Sequence, residues 1–235
     1  MPFYKNLLVL FVLVCVSTGL WAEANEAPDR SVIHKDALQV QPLLPGMAAP
    51  VFDLRDATGA KVSFDPKSLQ KPVILTFFRG GWCPYCNLHL AEMRKAEAEL
   101  KDLGFDLWFI SPDRPELLYE SLEQPDIGYT VYSDARLQAM RAFGIAFRVD
   151  DETNSKYIEY GVNLDEISGE GDHVLPVPST YLIGTDGLIH FQYTNPDYVV
   201  RLHPSVLLAA ARAYKNDEDA RLTRELQARR AKEEN

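Results

Sequence analysis

At 235 residues, 46% hydrophobic and 25% charged, the chain has ordinary globular composition and enough apolar material for one sizeable core. A formal net charge of -10 argues against nucleic acid or an anionic membrane surface as partner. There are three cysteines, at 15, 83 and 86, and two of them stand close together.

The amino terminus reads as a leader. Lys5 precedes the apolar run Leu7 to Val16, and Ala22-Glu23-Ala24 follows as a small-x-small cleavage site. The apolar run is short of the roughly 20 residues that span a bilayer, so cleavage near Ala24 and no stable membrane anchor are expected. Export to the periplasm or beyond follows. Loss of residues 1–24 removes Lys5 and Glu23, leaving the charge balance unchanged, and also removes Cys15.

Residues 25–44, with Pro28 and Pro42, read as a linker or an arm lying on the domain. Val51 to Leu54 and Lys61 to Phe64 predict a strand pair around Ala57-Thr58-Gly59-Ala60. Val73 to Phe78 predicts a buried central strand. After Arg79-Gly80-Gly81-Trp82-Cys83-Pro84-Tyr85-Cys86, a helix is expected from Asn87 to Leu103, closed by Gly104. Further strands are expected at Phe105 to Ile110 and Tyr129 to Tyr132, with helices at Pro115 to Leu122 and Ala135 to Phe143. Residues 150–175 break this rhythm. Eight acidic residues lie between Asp150 and Asp172 with Lys156 the only base, which reads as an acidic insertion with a short helix. Thr180 to Ile183, the turn Thr185-Asp186-Gly187 and Leu188 to Tyr193 predict a final hairpin. Pro204 opens the last helix, which continues as a charged tail over 213–235. This order predicts one α/β domain over 45–212: a central mixed sheet flanked by helices, with an N-terminal hairpin and a C-terminal helical extension.

A C-x-x-C pair closes too small a loop to add much entropic stabilisation, so its spacing suits chemistry better than stapling. The junction from strand to helix leaves backbone N–H groups and partial positive charge at the first cysteine. Such sites lower a cysteine pKa from about 8.5 to roughly 3.5–7.5. Cys83 is the expected nucleophile, exposed at the helix mouth, and Cys86 the resolving thiol one turn in. Pro84 suits the first helical turn. Trp82 is expected beside the sulfur, Gly80 and Gly81 let another backbone approach, and Arg79 adds positive potential. No metal site is read here: no second C-x-x-C exists, and His89 reads as an ordinary helix histidine. Asn87 stands where haem attachment needs histidine. No cofactor is implied.

The stretch FFRGGWCPYC resembles thioredoxin-fold redox motifs. With AAPVFDLRDATGAKVSF, VPSTYLIGTDGLIHF and NPDYVVR, the chain from Pro45 to Ala211 is similar to the peroxiredoxin-like branch of the alkyl hydroperoxide reductase/thiol-specific antioxidant (redoxin) family. The resemblance implies a cis-proline at Pro178, facing the cysteines and presenting the backbone of Val177 to an incoming disulfide. It also implies a threonine or serine three residues before the reactive cysteine and an arginine before the last hairpin, both serving peroxide. Gly80 and Pro178 occupy those places, with Arg79, Arg148 or Arg201 as possible substitutes. On that ground dithiol–disulfide exchange is preferred over peroxide reduction. The expected partners are a disulfide-bearing protein or a peroxide, together with an external thiol reductant.

Overall fold

A computed structural model describes residues 29–118, 129–168 and 173–233. The expected leader and much of the expected helix at 115–122 lie outside the described residues. In chain order the elements are β1 (Phe52–Arg55), β2 (Lys61–Phe64), β3 (Val73–Phe77), α1 (Pro84–Asp102), β4 (Asp106–Ser111), β5 (Thr130–Ser133), α2 (Gln138–Ala142), β6 (Ala146–Arg148), α3 (Asp151–Glu159), α4 (Leu164–Ser168), β7 (Val174–Pro176), β8 (Ser179–Ile183), β9 (Ile189–Thr194) and α5 (Pro204–Glu233).

The fold is organised around β3, a run of apolar residues and one threonine in which every residue is buried. Alternation sends Val73, Leu75 and Phe77 into one apolar layer and Ile74 and Phe78 into the other. The sheet order is β2-β1-β5-β4-β3-β8-β9, with β3, β4 and β5 parallel and the flanking pairs antiparallel. The parallel centre is what the strand–helix rhythm predicts, and the mixed sheet as a whole is the thioredoxin-like one that the family resemblance implies.

One face is packed by aromatic rings. Phe143 lies 4.6 Å from Tyr181 and 5.2 Å from Phe77, while Phe52 stacks on Phe64 at 4.7 Å. Each such ring buries a large apolar area. The other face carries α1 and α5, clasped by a hydrogen bond from Arg212 Nε to Glu99 Oε1 at 2.7 Å.

The arm packs onto the domain over its described part. His34 and Gln41 donate their amides to the carbonyls of Ala146 and Gly144, both at 2.9 Å. Gly144 has φ +69, and a Cβ there would stand 2.3 Å from the Gln41 carbonyl, so glycine permits this close approach.

Two expectations are corrected here. The helix at Ala135 to Phe143 starts only at Gln138, because the Asp134 carboxylate accepts the Ala139 and Met140 amides and Leu137 takes a left-handed turn at φ 57. The acidic insertion holds two helices, α3 and α4, and β7, which pairs with β6 in a small second sheet.

Candidate active site

Parallel pairing of β3 with β4 brings Phe77 opposite Ile110, and antiparallel pairing with β8 brings Phe77 opposite Ser179. The chain after β3, the chain after β4 and the chain before β8 therefore meet at one end of the sheet. Ligands of α/β sheets bind beyond the carboxyl ends of the parallel strands. Here those segments deliver Arg79 to Cys86, Asp113, and Val177-Pro178.

Cys83 is the N-cap of α1 and Pro84 its first helical residue. The Cys86 and Asn87 amides donate to the Cys83 carbonyl at 3.0 and 3.1 Å. Both thiols are free, and Cys83 is only 1% exposed. This corrects the expectation of an exposed nucleophile. Cys83 lies within the apolar cluster under α1 with Trp82 packed against it. Its neighbours meet elements distant in sequence: Trp82 packs against Tyr157 of α3 at 5.6 Å, and Tyr85 against Tyr198 at 5.7 Å.

The two sulfurs are sharply differentiated. A hydrogen bond from the Cys86 thiol lowers the Cys83 pKa against the cost of burial, helped by Arg79, the Cys86 amide and Arg201, to about 6. Burial first, then the neighbouring Cys83, push Cys86 well above an ordinary thiol. Near neutrality the pair holds one thiolate at Cys83 and one proton at Cys86, as a nucleophile and its resolving partner require.

Two arginines converge on this pair. Arg79 is 3% exposed, donates to the Tyr157 hydroxyl, and lies over the rings of Tyr198 at 4.1 Å and Trp82 at 5.1 Å. Such faces stabilise a cation that has left water. Arg201 donates from Nη2 to Cys86 Sγ at 3.4 Å and from Nε to the Tyr198 carbonyl at 2.6 Å. His89 anchors the neighbouring backbone through Leu202 at 3.2 Å, and burial lowers its pKa to about 4, so it is neutral and donates. Arg148 is exposed at the end of β6.

Around the sulfurs, polar atoms stand buried and unpaired: the donors Arg79 Nε, Trp82 Nε1 and Arg201 Nη1, and the acceptors Asn87 Oδ1 and Asp113 Oδ1. Native interiors leave few such groups, and a cluster of them beside a reactive sulfur calls for a functional or water-mediated explanation. Gly81 is held by its amide to Asp113 Oδ2 at 2.9 Å and by its carbonyl to Asn87 Nδ2 at 2.8 Å.

The reading of Val177-Pro178 is corrected. Pro178 sits at this end of the sheet, but no described peptide bond is cis. Val177 is fully buried, its amide donates to Ile145 at 2.9 Å and its carbonyl accepts the Ser179 hydroxyl at 2.8 Å. Its N–H is committed within the fold and is not offered to an incoming strand. Asp113 and His89 were not singled out as site residues. Burial of an aspartate just past a central strand is the signal for the first; the second gives none.

A free dithiol with an acidified sulfur, at the helix mouth of a mixed sheet covered by helices, defines a thioredoxin-fold thiol oxidoreductase. The chain belongs to the AhpC/TSA family, whose model matches residues 45–192. Among its relatives, the peroxiredoxin Bcp of Escherichia coli K12 is 32% identical over 106 residues, 45% of this chain and 67% of that protein. The thiol-disulfide oxidoreductase ResA of Halalkalibacterium halodurans is 25% identical over 144 residues, 61% of this chain and 74% of that protein. In fold, the chain is similar to the peroxidoxin BcpB of Mycobacterium tuberculosis (TM-score 0.55, 20% identity, 72% of this chain and 96% of that one). It is also similar to the peroxiredoxin Q of Xanthomonas campestris (TM-score 0.54, 16% identity, 75% and 98%).

Proposed function

We propose that the protein is a peroxiredoxin-like thiol peroxidase, in which Cys83 attacks a hydroperoxide and Cys86 resolves the product. This reverses the preference for disulfide exchange drawn from Gly80 and Pro178. The observation that carries it is a Cys83 thiolate sealed to 1% exposure among buried, unpaired N–H donors of Arg79, Trp82 and Arg201. A hydroperoxide needs a far smaller opening to reach such a sulfur than a protein disulfide does. Preorganised donors in a dry site stabilise charge developing on oxygen, which is the task left vacant at Gly80 and Pro178. The Bcp relatives point the same way.

The chemistry runs in two steps. The Cys83 thiolate bonds to the hydroxyl oxygen of the hydroperoxide, the O–O bond breaks, the other oxygen leaves and takes a proton to become water or alcohol, and the sulfur is oxidised to sulfenic acid. Cys86 then forms the S–S bond, the S–O bond breaks, and water leaves. Two equivalents of an external thiol return the disulfide to the dithiol and leave as their own disulfide.

Stopped-flow mixing of the reduced protein with hydrogen peroxide or a model disulfide, read by Trp82 fluorescence, tests this. Fast oxidation by peroxide and slow exchange are expected. Cys83→Ser should abolish the reaction, and Cys86→Ser should accumulate a sulfenic acid trappable by dimedone. Fast exchange with negligible peroxide reactivity would return the protein to the disulfide-exchange reading that its resemblance to ResA favours. The same reading includes an exported protein, tested by cell fractionation and by sequencing the mature amino terminus.

A further inference from the structure

Resting on the peroxidase reading, we propose that Asp113 is the proton store of the site: it holds a proton while Cys83 is a thiolate and yields it to the oxygen that leaves the peroxide.

The geometry argues for a proton-bearing group. Asp113 is 1% exposed, on the chain just beyond β4, with Oδ2 accepting the Gly81 amide two residues from Cys83. Its other oxygen, Oδ1, is buried and has no partner. Both that oxygen and Trp82 Nε1 lie against Gly80, within 2.6 and 2.3 Å of where a Cβ would stand. A carboxylate in this position would hold a full charge out of water with one oxygen unpaired, whereas a carboxylic acid carries its own O–H donor to offer to a ligand.

The charged surroundings agree. Arg79 is turned into the rings of Trp82, Tyr157 and Tyr198, and Arg201 toward Cys86. Arg114, the next residue, is exposed. None forms an ion pair with Asp113. Burial raises the Asp113 pKa to about 7, the Gly81 amide and Ser111 hydroxyl oppose it, and the Cys83 thiolate at the mouth of α1 adds a smaller upward push.

The step balances. Cys83 sulfur bonds to the oxygen carrying hydrogen, the O–O bond breaks, and the distal oxygen departs as hydroxide or alkoxide. It takes the Asp113 proton to become water or alcohol. With the Cys83 charge gone, one of the two causes that raise the Asp113 pKa is removed, which favours release of the proton, and the thiol reductant returns a proton to the acid before the next turnover.

The sign of the pH dependence follows. Oxidation of Cys83 should rise with pH as the thiolate forms at about 6 and fall as Asp113 deprotonates at about 7, a bell belonging to the coupled pair. Asp113→Asn keeps an acceptor for the Gly81 amide but carries no transferable proton. It should lose the alkaline limb and slow the peroxide step on the order of 10²-fold. A role confined to holding Gly81 leaves the bell intact in that variant and overturns the proposal. Infrared difference spectra of the unaltered chain keep the question open to test if the variant does not fold. The carboxylic acid band should disappear on oxidation by peroxide, and also on oxidation by diamide. A band unchanged by both overturns the store. If wild type ignores peroxide yet loses the band with diamide, the peroxidase reading and delivery to a peroxide oxygen fall while the store stands.

Discussion

Cys83 links folding to pH in a direction opposite to the buried aspartates. Its pKa is lowered from 9.0 to about 6, so the folded state binds its proton less tightly than the unfolded chain. Its contribution to stability is present above about 9 and lost as pH falls through about 6. Asp113 and Asp134 are raised from 3.8 to about 7, so theirs is present below 3.8 and lost as pH rises through about 7. Subtracting Cys83→Ser from the reduced wild type isolates the thiol. The Tm difference between them should grow in favour of wild type from about pH 6 to about pH 9. A difference that is flat across this window means that the Cys83 thiolate is not stabilised by the fold. Cys86, raised well above 9.0 by burial, loses its contribution only beyond it.

The junction between β3 and α1 explains why the residue that the family resemblance leads one to expect at Gly80 is missing. Gly80 has φ +140, and a Cβ would lie 2.3 Å from Trp82 Nε1 and 2.6 Å from Asp113 Oδ1. A threonine here meets strained backbone, the half-buried Trp82 and the buried Asp113 at once, at a cost of order 1–3 kcal/mol for the conformation alone. Gly80→Thr, which restores the expected hydroxyl, should therefore lower Tm and slow peroxide oxidation, displacing Trp82 from Tyr157. Thermal denaturation and Trp82 fluorescence report both; a gain of peroxidase activity would show that the pocket accepts the side chain. This junction was largely legible in the sequence, because a buried run, two glycines, the cysteine pair and a helical stripe ending at Gly104 are all local signals. The acidic insertion was less so. In α3 only Asn154 is buried, so no apolar stripe announces the helix, and its role depends on contacts from residues far away in the chain. Arg79 and Tyr157 meet across 78 positions, a pairing that periodicity cannot reveal. The burial of Cys83 was missed for the same reason.

At the scale of the whole molecule, the proposed preference for peroxide over disulfide turns on what covers the sulfur. The sheet and α1 supply a redox pair that suits either chemistry, and the chain then adds two covers. The insertion brings Tyr157 over Trp82 and Arg79, and the segment before α5 brings Tyr198 over Arg79 and against Tyr85. Tyr198 is tied to the sulfurs through Arg201, which its carbonyl holds, and Tyr157 through Arg79, whose charge helps lower the Cys83 pKa. Removing the Tyr157 ring therefore changes access and loosens Arg79 together. Tyr157→Ala deletes the hydrogen bond to Arg79 as well as the cover. The lost bond to a charged group costs about 1.5–3 kcal/mol, so some fall in Tm is expected. Tyr157→Phe separates the two effects by keeping the ring and losing only the hydroxyl. If cover decides the substrate, the ratio of disulfide to peroxide rate constants should rise on the order of tenfold in Tyr157→Ala, equivalent to about 1.4 kcal/mol of barrier, and stay near wild type in Tyr157→Phe. Equal ratios in all three proteins, measured by the same stopped-flow assay, would locate the discrimination in the donors around Cys83 and not in the insertion.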